Sequence, residues 1–262
     1  MQAEFAIIGG TGVYDPALLD HSTRQMIHTS FGAVEVTIGE YKGKRIVFLP
    51  RHGYKHSVPP HKINFRANIR ALQELGVQQV LATAAVGSLK RELPPGSLVI
   101  VDDFIDMTKN RVQTFFEGEE GVIHIDMTDP YCNRLRRQLV EVARENGILV
   151  QDGGVYVCTE GPRFETRAEI RTYASWGGDV VGMTSVPEVI LAKEARFCYA
   201  TVGIVTNYCS GISPHALTHQ EVIDTMKDRI ETVRKLFLLT IENGHHERTC
   251  ACPHALDELG TL

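Results

Sequence analysis

Short apolar runs alternate with longer stretches of helical periodicity along this chain. Phe5 to Ile8 ends in Gly9-Gly10-Thr11-Gly12, the pattern of a strand entering a glycine turn. Val34 to Ile38 and Arg45 to Leu49 flank Gly39 to Lys44 and predict a hairpin. Val80 to Ala85 is closed by Gly87-Ser88. Leu98 to Val101, Val155 to Cys158, Val180 to Met183 and Thr201 to Thr206 complete the strand candidates. Their apolar residues follow one another without alternation, which suits a sheet covered on both faces.

Helical patterns lie between them. Ile69, Leu72 and Leu75 repeat at helical spacing within Ile63 to Leu75. Asn133 to Asn146 is amphipathic and stops at Gly147; Arg167 to Trp176 stops at Gly177. Pro187 to Ala195 starts with proline at a first-turn position. His219 to Ile241 is the longest, with an apolar stripe through Val222, Ile223, Met226, Ile230, Val233, Leu236 and Phe237. The alternation predicts an α/β sandwich: a central mixed, mostly parallel sheet flanked by helices. No repeat, low-complexity segment or linker divides the 262 residues, so they read as one domain, with a C-terminal tail from about residue 243. In such sheets ligands gather beyond the carboxyl ends of strands.

Composition is that of a water-soluble globule, 43% hydrophobic and 23% charged. A net charge of −5 argues against a nucleic-acid partner. No apolar run approaches the roughly 20 residues of a membrane span, and Met1 to Phe5 lacks signal-peptide features. A cytoplasmic protein without a membrane partner is the expectation. Cys132, Cys158, Cys198 and Cys209 are scattered beside apolar residues and read as buried free thiols. Cys250 and Cys252 form a Cys-x-Cys pair near His245, His246 and His254, which is not the usual zinc spacing. Free thiols, a local disulfide and metal binding all stay open for that pair.

The residues with chemistry cluster at predicted strand ends. Gly9-Gly10-Thr11-Gly12 can aim backbone N–H groups at an anion, although it lacks the lysine of a P-loop and the last glycine of a dinucleotide fingerprint. A dinucleotide oxidoreductase is weakened accordingly. Arg51-His52-Gly53-Tyr54-Lys55-His56 offers a planar fork for phosphate oxygens. Gly53, Pro59 and Pro60 make this segment a loop, so His52, His56 and His61 gain no helical metal-ligand spacing. Thr83-Ala84-Ala85-Val86-Gly87-Ser88 lets a ligand approach the backbone closely. Thr159 to Glu169 carries Phe164, an aromatic face, and Glu165, a carboxylate, before a helix. There a helix start with acids near its positive end is the alternative. Thr184 and Ser185 stand before a helix, either as anion ligands or as simple N-caps. Asn207, in Thr206-Asn207-Tyr208-Cys209, can donate and accept at once, or close an Asx-turn.

In Ile8-Gly9-Gly10-Thr11-Gly12, Arg51-His52-Gly53, Asn68-Ile69 with Ala71-Leu72, Gly87-Ser88-Leu89, Glu160 to Phe164 and Met183 to Glu188, the chain resembles the methylthioadenosine phosphorylase group of the trimeric purine nucleoside phosphorylases. The resemblance runs from about Phe5 to about Ile241. It implies a nucleoside phosphorylase-like fold, inorganic phosphate as co-substrate, a purine nucleoside as substrate, no other cofactor and no metal. It further implies a homotrimer or a dimer of trimers. Thr11, Arg51, His52, Ala84, Ala85 and Thr184 fall where the family holds phosphate, and Met183 where it packs the ribose. Asn207, Tyr208 and Cys209 fall where it reads the purine, and His124 near a subunit contact beside a neighbour's 5′ site. Related chains from heat-loving organisms carry Cys-x-Cys pairs that resemble structural disulfides.

Three departures shift the expected substrate. The methylthioadenosine enzymes carry aspartates in the segment corresponding to Thr206-Asn207-Tyr208-Cys209, and a small hydroxyl residue at the place of Glu165. A 6-oxopurine has hydrogen on N1, from which a carboxylate can accept; adenine presents a lone pair there. Glu165 with Asn207 therefore resembles the base-reading pair of inosine- and guanosine-cleaving enzymes. His219 stands where methylthio-specific members hold an apolar residue, and resembles a ligand for a 5′-hydroxyl. The expected reaction is phosphate-dependent cleavage of inosine or guanosine to free base and ribose 1-phosphate, with Asn207 stabilising the departing base. The alternatives are a phosphorylase of methylthioinosine or methylthioadenosine, and a non-catalytic nucleotide- or anion-binding regulator.

Overall fold

The computed structural model describes residues 3–10, 13, 15, 18–118, 121–212, 219–244 and 247–257. One sheet runs through them in the order β2 (Asp20–Thr29), β3 (Gly32–Tyr41), β4 (Lys44–Pro50), β1 (Phe5–Gly9), β5 (Gln79–Ser88), β10 (Val180–Gly182), β9 (Val155–Thr159) and β7 (Asp103–Met107). A branch leaves β5 through β11 (Cys198–Tyr208) to β6 (Leu98–Ile100) and β8 (Gln151–Asp152). Six of these ten pairings are parallel.

The unbroken apolar runs have a direct cause. Along β1, Ala6 and Ile8 enter one core and Phe5 and Ile7 the other. Along β4, Val47 and Leu49 part from Ile46 and Phe48 in the same way. Helices α1 (Phe65–Glu74) and α4 (Ser185–Glu194) cover the first face. Helices α2 (Asn133–Glu145) and α5 (His219–Glu242) cover the second. Helix α3 (Arg167–Ser175) packs Ile170 and Tyr173 on a smaller cluster with Val157, Val181 and Cys209. No helix among the described residues is long and apolar enough to cross a membrane.

The hairpin predicted around Gly39 to Lys44 is β3–β4. Three strands lie outside the predicted set: β2, β7 and β8. β2 reads DHSTRQMIHT, is largely exposed and pairs on one side with β3 alone, so no buried face gave it an apolar signature. Helix α4 opens with Val186 in extended geometry (φ −108°, ψ 131°), so its regular turns begin at Pro187.

Candidate active site

The sheet parts at β5. β1 pairs with β5 as far as Ala82, and β10 takes the same edge again at Gly87 and Ser88. Between them, Thr83 to Val86 lack a strand on that edge, while β11 continues along the other. Ala85 is exposed although both of its neighbours are buried, so a cleft opens at the centre of the sheet. In a strand, alternate residues point their N–H and C=O to the same edge. Thr83 O faces Arg51 on the open edge, and the Ala85 N–H shares that side.

Arg51 closes the cleft from β4. It is buried; its Nε and Nη2 donate to the two Glu188 carboxylate oxygens, both at 2.7 Å, and Nη1 donates to Thr83 O at 2.8 Å. Tyr199 donates to Glu188 Oε1 at 2.7 Å. Burial opposes the guanidinium charge, and Glu188 more than restores it. Three of the five guanidinium donors are thus engaged within the protein, leaving two for an anion. The sequence pointed to a free fork; Glu188, which occupies that fork, was missed because its partner lies far away in the chain.

His52 differs from a cationic phosphate ligand. Burial holds its pKa down to about 4, so the ring is neutral near pH 7. Nδ1 lies 2.8 Å from Val58 O, which can only accept, so Nδ1 carries the proton and Nε2 is bare. Gly9 O accepts from the Arg51 N–H at 3.1 Å and draws the end of β1 to this turn. Thr184 is the N-cap of α4, yet its hydroxyl makes no capping bond. Its N–H donates to Tyr156 Oη at 3.2 Å.

The base-reading candidates lie on β11 and on the loop that follows β9. A register shift between Val205 and Asn207 makes Thr206 a bulge. Bulges re-aim side chains beside sites. The Thr206 hydroxyl donates to Asn207 Oδ1 at 2.8 Å, which fixes the amide with Nδ2 as its donor end. Nδ2 gives one hydrogen to Tyr208 O at 3.1 Å and keeps one. Gly87 sits beneath: a Cβ there would lie 2.7 Å from Cys209 Sγ and 3.1 Å from Asn207 Nδ2. Cys209 is buried, and that burial holds its thiol neutral.

Glu165 and Glu169 divide the two readings of their loop. Thr166 and Glu169 form a capping box at the start of α3, and Arg163 pairs with Glu169. Glu165 turns inward, 8% exposed, and accepts from the Thr159 hydroxyl at 2.7 Å. Burial raises its pKa above the ordinary carboxylate value, with the Thr159 bond opposing the shift. Gly161 has φ +64°, and a Cβ there would meet Met183 Sδ at 2.5 Å, so glycine lets this loop close on Met183. A pocket of about 490 Å³ opens beside Glu165 between Met107, Thr159, Gly161, Arg163, Tyr173 and Trp176.

Arg111 joins the two halves, and no sequence motif marks it. Nη1 donates to Met183 O and Val186 O at 2.8 and 2.6 Å; Nη2 donates to Thr159 O and Glu160 O at 3.2 and 2.8 Å. Contacts to carbonyls of distant loops leave no local motif.

Tyr208 donates its hydroxyl to Arg91 O at 3.0 Å. Phe164 is 43% exposed, and His124 is exposed in the loop between β7 and α2. Ala84 is buried on the α1–α4 face. His219 begins α5, but its side chain, like the whole of Thr11, lies outside the described residues. Cys132 and Cys198 are not isolated thiols: both sit with Cys250 and Cys252.

Comparison with known proteins places this geometry. Residues 4–242 match the family model described as Phosphorylase superfamily. The chain is 57% identical over 254 residues to the "Probable 6-oxopurine nucleoside phosphorylase" of Dictyoglomus turgidum, covering 97% of this chain and 96% of that protein. It is 51% identical over 258 residues to the 6-oxopurine nucleoside phosphorylase of Pyrococcus furiosus, covering 96% and 97%. Among solved structures, a methylthioadenosine phosphorylase from an Antarctic soil metagenomic library superposes with a TM-score of 0.92 at 34% identity, covering 100% of this chain and 93% of that one. With a matching sheet, a matching family model and relatives aligned over nearly their whole length, the chain belongs to the phosphorylase superfamily.

Proposed function

We propose that this chain is a 6-oxopurine nucleoside phosphorylase, a pentosyltransferase that uses phosphate to release hypoxanthine or guanine from its ribonucleoside. The observation that carries the reading is the buried Glu165 carboxylate, held by Thr159 and kept out of the capping box that engages Glu169. Together with the Asn207 Nδ2 donor it forms an acceptor–donor pair complementary to N1–H and O6. Relatives named for 6-oxopurine nucleosides support it.

Cleavage develops positive charge on the sugar and negative charge on the base. Phosphate, held by Thr11, Arg51, His52, the Ala84–Ala85 backbone and Thr184, attacks C1′ and stabilises the first. Asn207 donates to O6 or N7 and stabilises the second. Phe164, Met183, Tyr208 and Cys209 surround the nucleoside in this reading, and His219 takes the 5′-hydroxyl. The neutral His52 presents Nε2 as an acceptor, so it receives a hydrogen bond from a protonated phosphate oxygen or a sugar hydroxyl. The whole chain acts as one cytoplasmic domain with a tail from about residue 243, in a homotrimer or a dimer of trimers in which His124 meets the neighbour's 5′ site.

A substrate panel tests the proposal. Inosine and guanosine release free base with phosphate and not without it, and faster than adenosine, methylthioadenosine or methylthioinosine. Faster cleavage of methylthioadenosine than of inosine overturns the base reading; release without phosphate overturns the phosphorylase.

A further inference from the structure

We propose that Cys132, Cys198, Cys250 and Cys252 form a tetrathiolate site for a soft divalent metal ion of the zinc type, which staples the C-terminal tail to the sheet. Their four sulfur atoms all lie within 4.8 Å of one another. A tetrahedral zinc with bonds of about 2.3 Å requires sulfur–sulfur edges of about 3.8 Å. Cys198 and Cys250 are at 3.3 Å, so small side-chain rotations reach that geometry. All four are free thiols. Disulfides need sulfurs joined in pairs at about 2.05 Å; they do not require two pairs to converge on one point, as these do.

Each sulfur comes from a fixed place. Cys132 is the N-cap of α2, and its N–H donates to Tyr199 O at 2.8 Å. Cys198 opens β11, and its N–H donates to Gln78 O at 2.9 Å. Cys252 begins a short 3-10 turn through His254, one residue beyond Ala251. The Cys-x-Cys spacing is unusual for zinc as a sequence, but the fold supplies the other two ligands from the sheet and α2. Four thiolates around a divalent ion carry a net charge of −2, which the nearby Arg134 guanidinium offsets in part. Binding releases the thiol protons to solvent and transfers no electrons.

Among the described residues the tail has few other ties to the body; Arg248 Nη1 donates to Arg196 O at 2.9 Å. None of residues 247–257 is fully buried, and Cys250 and Cys252 are its residues packed against the α2–α5 core. The Arg196–Asp257 pair at 2.9 Å is close to half exposed on both sides, and such pairs contribute little. Lys44 Nζ binds Ile241 O at 2.6 Å and Gly244 O at 3.3 Å, fixing where the tail starts but not where it runs.

The test uses the full chain, purified in reducing buffer without chelator. Elemental analysis finds about one zinc ion per chain. Exchange with cobalt(II) gives the intense thiolate charge-transfer absorption of a tetrahedral sulfur site. The Cys250→Ser/Cys252→Ser variant drops below about a tenth of an ion per chain and loses that absorption, while phosphorolysis persists at moderate temperature. Reduced wild-type protein that takes up neither zinc nor cobalt overturns the proposal. An intact mass short by the hydrogens of two disulfides, or metal retained by the double variant, overturns it as well.

Discussion

Glu165 sets a conflict between stability and recognition. Its folded-state pKa is raised by burial, so the folded protein holds this proton at a pH where the unfolded chain has released it. Stability from this group is full below the unfolded value of about 4.3 and is lost as pH rises through the folded value. Glu165→Gln therefore raises the melting temperature of the ligand-free enzyme near neutral pH, and the gain vanishes below about pH 4.3. A gain that is constant with pH would remove burial as the cause. Function moves the other way. A lost hydrogen bond to a charged group costs about 1.5–3 kcal/mol, so wild type prefers 6-oxopurine nucleosides by at least about 10–100-fold. Glu165→Ser with Asn207→Asp shifts the ratio of kcat/KM values toward 6-aminopurines; an unchanged ratio removes both residues from base reading.

Arg51 needs a different test from a simple alanine scan. Removing one member of a buried ion pair leaves the other uncompensated and costs about 3–5 kcal/mol. Arg51→Ala and Glu188→Ala each destabilise by that amount in denaturant titrations, and the double variant loses clearly less than their sum. Additive losses would show the pair to be energetically independent. Where Arg51→Ala still folds, the apparent KM for phosphate rises far more than that for nucleoside; equal rises exclude Arg51 from the phosphate site.

At the scale of elements, Arg111 is the hinge pin between the Thr159–Glu160 and Met183–Val186 segments. Arg111→Lys keeps the charge but lacks the planar fork, so it cannot serve four carbonyls on two loops. Displacements near 1 Å from reacting atoms lower rates about 100-fold. Arg111→Lys is expected to lose on the order of that factor in kcat, with KM for phosphate changing little. A folded variant with unchanged kcat would make Arg111 merely structural. The sequence showed the site's parts more readily than their couplings. Strand ends, glycine turns and the helix starts at Arg167 and Pro187 were legible because each depends on local residues. The Arg51–Glu188 pair, the carbonyl contacts of Arg111 and the convergence of Cys132 with Cys250 were not, because each joins positions far apart in the chain. β2 escaped for another reason: an exposed edge strand needs no apolar pattern.

At the scale of the whole molecule, the site exists because one strand serves two neighbours. β1 leaves β5 at Ala82 and β10 joins it at Gly87, and the interval between them is where the segments from Gly9 and Arg51 converge. No short stretch of the unfolded chain reproduces that convergence, so under the proposed function phosphate binds the folded state alone. A ligand at 100 times its Kd then stabilises by about 2.7 kcal/mol, which in a chain of this size raises the melting temperature by about 5–10 °C. Under the same proposal hypoxanthine, read by Glu165 and Asn207, adds its own increment. Glu165→Gln removes most of the hypoxanthine increment and leaves that of phosphate, since Glu165 lies with Thr159 and Arg51 with Thr83. Thermal melts in titrated phosphate, with and without base, read both increments separately. A melting temperature indifferent to phosphate would mean that the gap in the sheet edge is not an anion site, whatever the base side recognises.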